Sequence, residues 1–274
     1  MPKITETVEP EKSTFLLSAQ RTLMNASFLR PVAQAVSWTF YNAEGSLRPV
    51  WKPFTHQGRG YKKTVTPDNA SVAEIIQKHP GRLYGWIMLN PRAGPDPLAE
   101  LNRWRRVPGM IGLKLHPYWH QFSLRAAAPV LAEAQRLKLP VMVHLGFGGQ
   151  GDYRWVFESY PELCIIFAHA GIPFYKSLWP SVRGRKNTYM DLSSPHLSEA
   201  FVRKAVRALG AEKCLYGTDS PYGFGASHGD YDYGRILGWI QRLPVSTQER
   251  DAILGGNFSR LIGAAASSCV SSIP

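Results

Sequence analysis

Cysteine is scarce, at three in 274 residues. A small, odd number cannot build a disulfide framework and points to free thiols in a reducing compartment, so a cytoplasmic location is expected. No uninterrupted run of ~18 apolar residues occurs, so no transmembrane helix and no membrane partner are expected. The first thirty residues also lack a basic start followed by an apolar stretch. Lys3, Glu6, Glu9, Glu11 and Lys12 interrupt them, so no secretory leader is read there. Acidic residues are few, 20 against 32 Lys and Arg, which leaves a formal charge of +12. That excess raises nucleic acid or anionic small molecules as partners, but alone it speaks to solubility and non-specific attraction. The basic clusters at Arg59–Lys63, Arg103–Arg106 and Arg183–Lys186 fall in three separate units and carry no nucleic-acid-reading signature. No specific nucleic acid is therefore expected.

What is present suffices for a folded domain. Hydrophobic residues make up 44% of the chain, ample for a core. Six short apolar runs recur from residue 83 onward: Leu83–Leu89, Met110–Leu115, Pro140–Leu145, Leu163–His169, Thr188–Leu192 and Cys214–Gly217. Runs of this length, rich in β-branched and aromatic residues, read as buried strands, and their spacing is that of βα units in a parallel sheet. Helical segments with recognisable ends lie between them. Asp96-Pro97 is an N-cap with proline at the first helical position. Residues 127–138 carry an apolar stripe and end in cations, Ser198–Leu209 stops at Gly210, and Ser246–Glu249 is a capping box. Such alternation fits a (β/α)₈ barrel or a doubly wound open sheet.

The rest of the chain is less regular. Ser13–Ser27 reads as a helix, Ala33–Phe40 as a strand, Asn42–Thr66 as a long basic loop, and Ser71–Lys78 as a helix capped by Asp68 or Asn69. The chain is read as one domain. Residues 1–80 form its N-terminal part, 81–263 its six βα units, and 264–274 a frayed tail.

Several strands end in a polar residue. Lys114 and His116 close the second, His144 the third, His169 the fourth, and Asp219 follows the last. In a parallel barrel these ends converge on one mouth, where such folds build their chemistry. One lysine, three imidazoles and a carboxylate there suit a divalent metal or an acid–base site, and the absence of a nearby cysteine disfavours thiolate ligation. His56, His79, His120, His196 and His228 fall in loops or at helix ends and read as solvated. Arg92, Trp155, Phe174, Tyr175 and Tyr222 are candidates to line the mouth for an anionic, partly apolar substrate.

The segments GMIGLKLHP (Gly109–Pro117), PVMVHLG (Pro140–Gly146), IIFAHAG (Ile165–Gly171), KCLYGTDSP (Lys213–Pro221) and ILGGNFSRLIG (Ile253–Gly263) together resemble the amidohydrolase-related (amidohydrolase 2) family of metal-dependent TIM barrels. That group includes the aminocarboxymuconate-semialdehyde decarboxylase-like enzymes. The resemblance implies a metal-dependent hydrolase of a small organic acid, lactone or amide, with a non-oxidative decarboxylase as the alternative. It implies that His144 and Asp219 ligate a divalent metal, Zn²⁺ foremost, and that His169 and Asp219 act as catalytic acid and base. Lys114 and His116 would then meet the substrate, and a homo-oligomer is compatible with the pattern. One departure stands out. The family opens with a strand-1 His-x-His pair, and no His-x-His occurs in this chain. The nearest first strand, Ile4–Glu9, offers Glu6, Thr7 and Glu9 instead. A first strand missing or distorted, a truncated or impaired barrel, and a metal site without metal are therefore also expected alternatives.

Overall fold

A computed structural model describes residues 66–93, 95–194, 197–220 and 232–270, the last seven as backbone only. The readings made for residues 1–65, the first strand among them, lie outside the described residues. Among the described residues six strands form: β1 Gly85–Leu89, β2 Met110–Leu115, β3 Val141–Val143, β4 Ile165–Phe167, β5 Thr188–Asp191 and β6 Cys214–Leu215. Each lies within the apolar run that predicted it. Every neighbouring pair is parallel, and the order across the sheet is the order along the chain. A doubly wound sheet reverses its strand order at a switch point. This one winds in a single direction, as a barrel does. The fold is α/β, of the TIM-barrel type.

The helices start where their caps direct. The Asp96 carboxylate accepts from the Leu98 and Ala99 amides at the start of Pro97–Trp104. Ser198 accepts from Phe201, opening Glu199–Leu209, and Gly210 ends that helix at φ +90°. Ser246 and Glu249 cap each other reciprocally. Asp68, rather than Asn69, caps Asn69–Lys78. The last helix, Asn257–Val270, carries helical backbone into the stretch expected to fray.

Alternate strand residues face opposite ways, which sorts the core into two layers. Ile87, Leu113, Val141, Ile165 and Met190 join the main core with helix residues such as Leu101, Leu131, Leu178 and Val202. Ile166 and Leu215 face the other way, where Met142, Tyr189, Phe258 and Leu261 pack around them. The barrel interior is thus filled partly by the final helix, with Phe258 tilted against Trp86 at 6.3 Å.

Among the described residues β1 and β6 are the outer strands, and each meets an amide side chain at its edge. The Asn69 side chain accepts from the Met88 amide and donates to the Met88 carbonyl, each at 2.9 Å, on the side of β1 away from β2. At the far edge the Asn257 side chain donates to the carbonyls of Ala211 and Cys214, and the Tyr216 amide reaches the Ile253 carbonyl. Backbone groups that a further strand would have satisfied are paired at these points, as buried polar groups require.

Candidate active site

Six side chains gather past the C-terminal ends of the strands. Lys114 lies on β2 in register with Met142, two residues before His116. His144 follows β3 directly, and its own amide donates to the Leu115 carbonyl at 3.0 Å, tying the second and third strand ends together. His169 sits two residues beyond β4 rather than inside it, Asp191 ends β5, and Asp219 lies beyond β6. The structure therefore brings together Lys114, His116, His144, His169 and Asp219, all five residues that the sequence nominated.

The histidines contact one another. His169 Nε2 lies 3.0 Å from His144 Nδ1, with the rings edge to face. His116 stacks on His144 at 4.0 Å and on Trp119 at 4.8 Å. Its Nδ1 accepts the Trp119 amide at 3.1 Å. A nitrogen that accepts an amide N–H carries the lone pair, so neutral His116 has its proton on Nε2. Burial, followed by the Lys114 charge, holds His116 well below the ordinary histidine pKa, and it is neutral at pH 7.

His169 is held by groups on either side. Its Nδ1 lies 3.0 Å from the Ser193 carbonyl, and its Nε2 lies 3.9 Å from Asp219 Oδ2. The turn that presents it is left-handed, with φ of +55° at His169, +53° at Ala170 and +74° at Gly171. For the two residues with a Cβ this costs roughly 1–2 kcal/mol each. A strained turn of this kind marks a place where position has been favoured over local stability. Asp219 has the same conformation, at φ +59°.

Charge is concentrated and poorly solvated here. Burial, and then the neighbouring Asp191, push the Asp219 carboxyl up to about 7, while Lys114 pulls it down. Burial also raises Asp191, against the hydrogen bonds it accepts from Ser193 and His169. Lys114 is lowered by burial and partly restored by the two carboxylates.

Sequence reasoning missed Asp191 and Ser193. The signal was available, since Asp191 is a lone acid closing a buried strand, as Asp219 follows another. It also misjudged several neighbours. His120 is buried, at 6% exposure, because the short Pro117–His120 helix turns it inward beside Phe122, and its Nδ1 has no partner among the described residues. Phe174 packs on Tyr153, and Tyr175 on Trp179 and Phe201, so both belong to the core. Trp155 stacks under Arg125, and Arg92 donates to the Gln121 carbonyl, so these two brace loops. His56, His196, His228 and Tyr222 lie outside the described residues.

The expected metal pair does not complete a centre. Among the described residues no group of three or more His, Cys, Asp or Glu side chains is placed to hold a metal ion. His144 Nδ1 and His169 Nε2 instead face each other at hydrogen-bonding distance. The residues described here do not by themselves fit a metal site.

A single-wound parallel barrel with its ionisable groups at the strands' C-terminal ends defines a TIM-barrel enzyme scaffold. The chain belongs to the amidohydrolase family, whose model matches residues 56–263. Solved structures share the fold. A TIM-barrel protein of Bordetella bronchiseptica is similar at 19% identity over 76% of each chain, with a TM-score of 0.62. The 5-carboxyvanillate decarboxylase of Sphingomonas paucimobilis is similar at 18% identity over 71% of each chain, with a TM-score of 0.56. A provisionally assigned 2-pyrone-4,6-dicarboxylic acid hydrolase of Pseudomonas putida is 24% identical over 72% of this chain and 77% of its own, with a TM-score of 0.58. No helix among the described residues is long and apolar enough to cross a membrane.

Proposed function

We propose that the chain is a hydrolase of a small carboxylated compound, a lactone or an amide, working by acid–base catalysis between Asp219 and His169. The observation that carries this reading is their placement. Asp219 Oδ2 lies 3.9 Å from His169 Nε2, and the Asp219 carboxyl is pushed up to about 7 by burial. A base with a pKa near the working pH combines the right protonation state with useful driving force. Asp219 takes a proton from water, whose oxygen bonds to the acyl carbon. The acyl C–O or C–N bond breaks, and protonated His169 gives its Nε2 proton to the leaving atom. The proton held by Asp219 then returns to His169 across the short gap and resets the pair.

Lys114 and neutral His116 serve the substrate. The Lys114 ammonium faces Asp191 and Asp219, and a substrate carboxylate would be its third partner of opposite charge. The Nε2–H of His116 is a donor that stays neutral, so it orients an oxygen without adding charge. The formal charge of +12 favours approach of anions in the same sense. Family membership implies a divalent metal, Zn²⁺ foremost, which would polarise water or a carbonyl when bound. The described residues by themselves do not fit one.

Decarboxylation is the second reading, favoured by one observation. A carboxyl held near 7 is half protonated at neutral pH and can deliver a proton to the carbon that carbon dioxide leaves. The two are separated by product analysis with cyclic lactone dicarboxylates and aromatic hydroxycarboxylates as substrates. Hydrolysis predicts a ring-opened product carrying one oxygen from labelled water. Release of carbon dioxide without that oxygen selects the decarboxylase. Turnover undiminished in both His169→Asn and Asp219→Asn refutes the site altogether.

A further inference from the structure

We infer that Asp191 and Ser193 are positioning residues that fix which nitrogen of His169 works, by forcing its other nitrogen to keep a proton. This rests on the reading of His169 as the acid–base residue, and extends it to two residues that touch no substrate.

The cage is built from strand β5 and the two residues after it. The Asp191 carboxylate accepts three hydrogen bonds: from the Ser193 hydroxyl at 2.5 Å, from the Ser193 amide at 3.1 Å, and from the His169 amide at a long 3.4 Å. These bonds fold the chain back so that the Ser193 carbonyl points at His169 Nδ1, 3.0 Å away. The Ser193 hydroxyl also lies 3.4 Å from the same nitrogen. The packing leaves the cage no slack. A Cβ on Gly217 would sit 2.4 Å from Asp191 Oδ1 and 3.1 Å from the Ser193 Cβ.

Hydrogen-bond polarity then assigns the protons. A carbonyl only accepts, so Nδ1 of His169 carries hydrogen. The Ser193 hydroxyl gives its proton to Asp191, so it has none to offer Nδ1. In the neutral ring Nε2 therefore holds the lone pair and accepts from Nδ1–H of His144. The order runs from His144 Nδ1–H to His169 Nε2, and from His169 Nδ1–H to the Ser193 carbonyl. Nε2, the atom facing Asp219, is the one that gains and loses a proton, while Nδ1 keeps its own throughout.

Asp191→Ala removes the acceptor of all three bonds. The Ser193 carbonyl is then no longer held against His169 Nδ1, and the neutral ring populates both tautomers. Ser193→Ala keeps the backbone amide on Asp191 and the backbone carbonyl on Nδ1, so it keeps the wild-type tautomer.

The experiment is ¹⁵N spectroscopy of the histidine rings in the full chain, assigned with His169→Gln, at a pH about two units above the ordinary imidazole value. Wild type and Ser193→Ala are expected to show His169 protonated at Nδ1. Asp191→Ala is expected to show both tautomers. A wild-type ring protonated at Nε2 overturns the inference at once, whether or not any variant folds. So does an Asp191→Ala ring unchanged from wild type. With a substrate, Asp191→Ala lowers kcat while KM holds, and Ser193→Ala lowers it less. In a histidine catalyst the wrong tautomer costs up to ~10⁴-fold. Tautomers as expected, with full turnover in His169→Gln, would refute the proposed function and leave the cage standing.

Discussion

Replacing Asp219 by asparagine should stabilise the protein, and by an amount that depends on pH. The carboxyl rises from 3.8 to about 7 on folding, chiefly through burial and secondly through Asp191. A raised carboxyl keeps its proton in the folded chain over a pH window in which the unfolded chain has lost it. Stability from this group is therefore fully present below about pH 4, declines as pH rises, and is lost above about pH 7. Some three pKa units at 1.36 kcal/mol each give about 4 kcal/mol across that window. The side chain is 28% exposed, so solvent softens this towards about 3 kcal/mol. Asparagine has the same shape and never ionises. Urea unfolding followed by tryptophan fluorescence should give equal stabilities for the two proteins near pH 4. The variant should lead by roughly 1 kcal/mol per pH unit through the window, then by a constant margin above it. A difference that does not vary with pH, or a variant less stable than wild type at pH 7 in chelator, refutes the burial argument. The same titration repeated with Zn²⁺ reads metal binding directly. An ion that engages the carboxylate stabilises only the wild type, and the margin shrinks or inverts.

Three further substitutions test the packing around the site. Asn257→Ala strips the Ala211 and Cys214 carbonyls of their buried partner and should cost about 2–4 kcal/mol in urea unfolding; a cost below about 0.5 would show that the strand edge needs no closure. Tyr153→Phe removes a buried hydroxyl that has no hydrogen-bond partner among the described residues and sits among aromatic rings, so stability should hold or rise by up to ~1 kcal/mol, and a clear loss would show a bond to that oxygen. Gly217→Ala places a methyl group against Asp191 Oδ1 and should cost ~1–3 kcal/mol by the same measurement; an unchanged midpoint would mean that the cage has room.

How much of this was legible in the sequence follows from the range of the forces involved. Strand and helix positions were legible because they depend on local periodicity and caps. Asp96-Pro97 and Ser246–Glu249 act over three or four residues and do the same work wherever they occur. The mouth was legible for the same reason, since a polar residue ending a buried strand must lie where the chain leaves the sheet. What was not legible depends on partners brought from a distance. His120 looks solvated until the short helix after β2 turns it inward. Tyr175 looks like a mouth aromatic until Phe201, 26 residues later, covers it.

Asp191 marks the boundary between these two kinds of signal. Its place at a strand end was readable, yet its work is to bind groups from two segments, at His169 and Ser193. Burial alone would make such a carboxylate a liability, because an isolated charge there costs several kcal/mol. Three donors aimed at it offset that cost, and all three come from residues whose positions serve His169. A barrel that needed only stability would close this strand with an apolar residue, as β1 ends in Leu89 and β3 in Val143. The retained carboxylate and the left-handed turn at His169 each cost stability separately. They make sense together, as the means of holding one imidazole in one orientation.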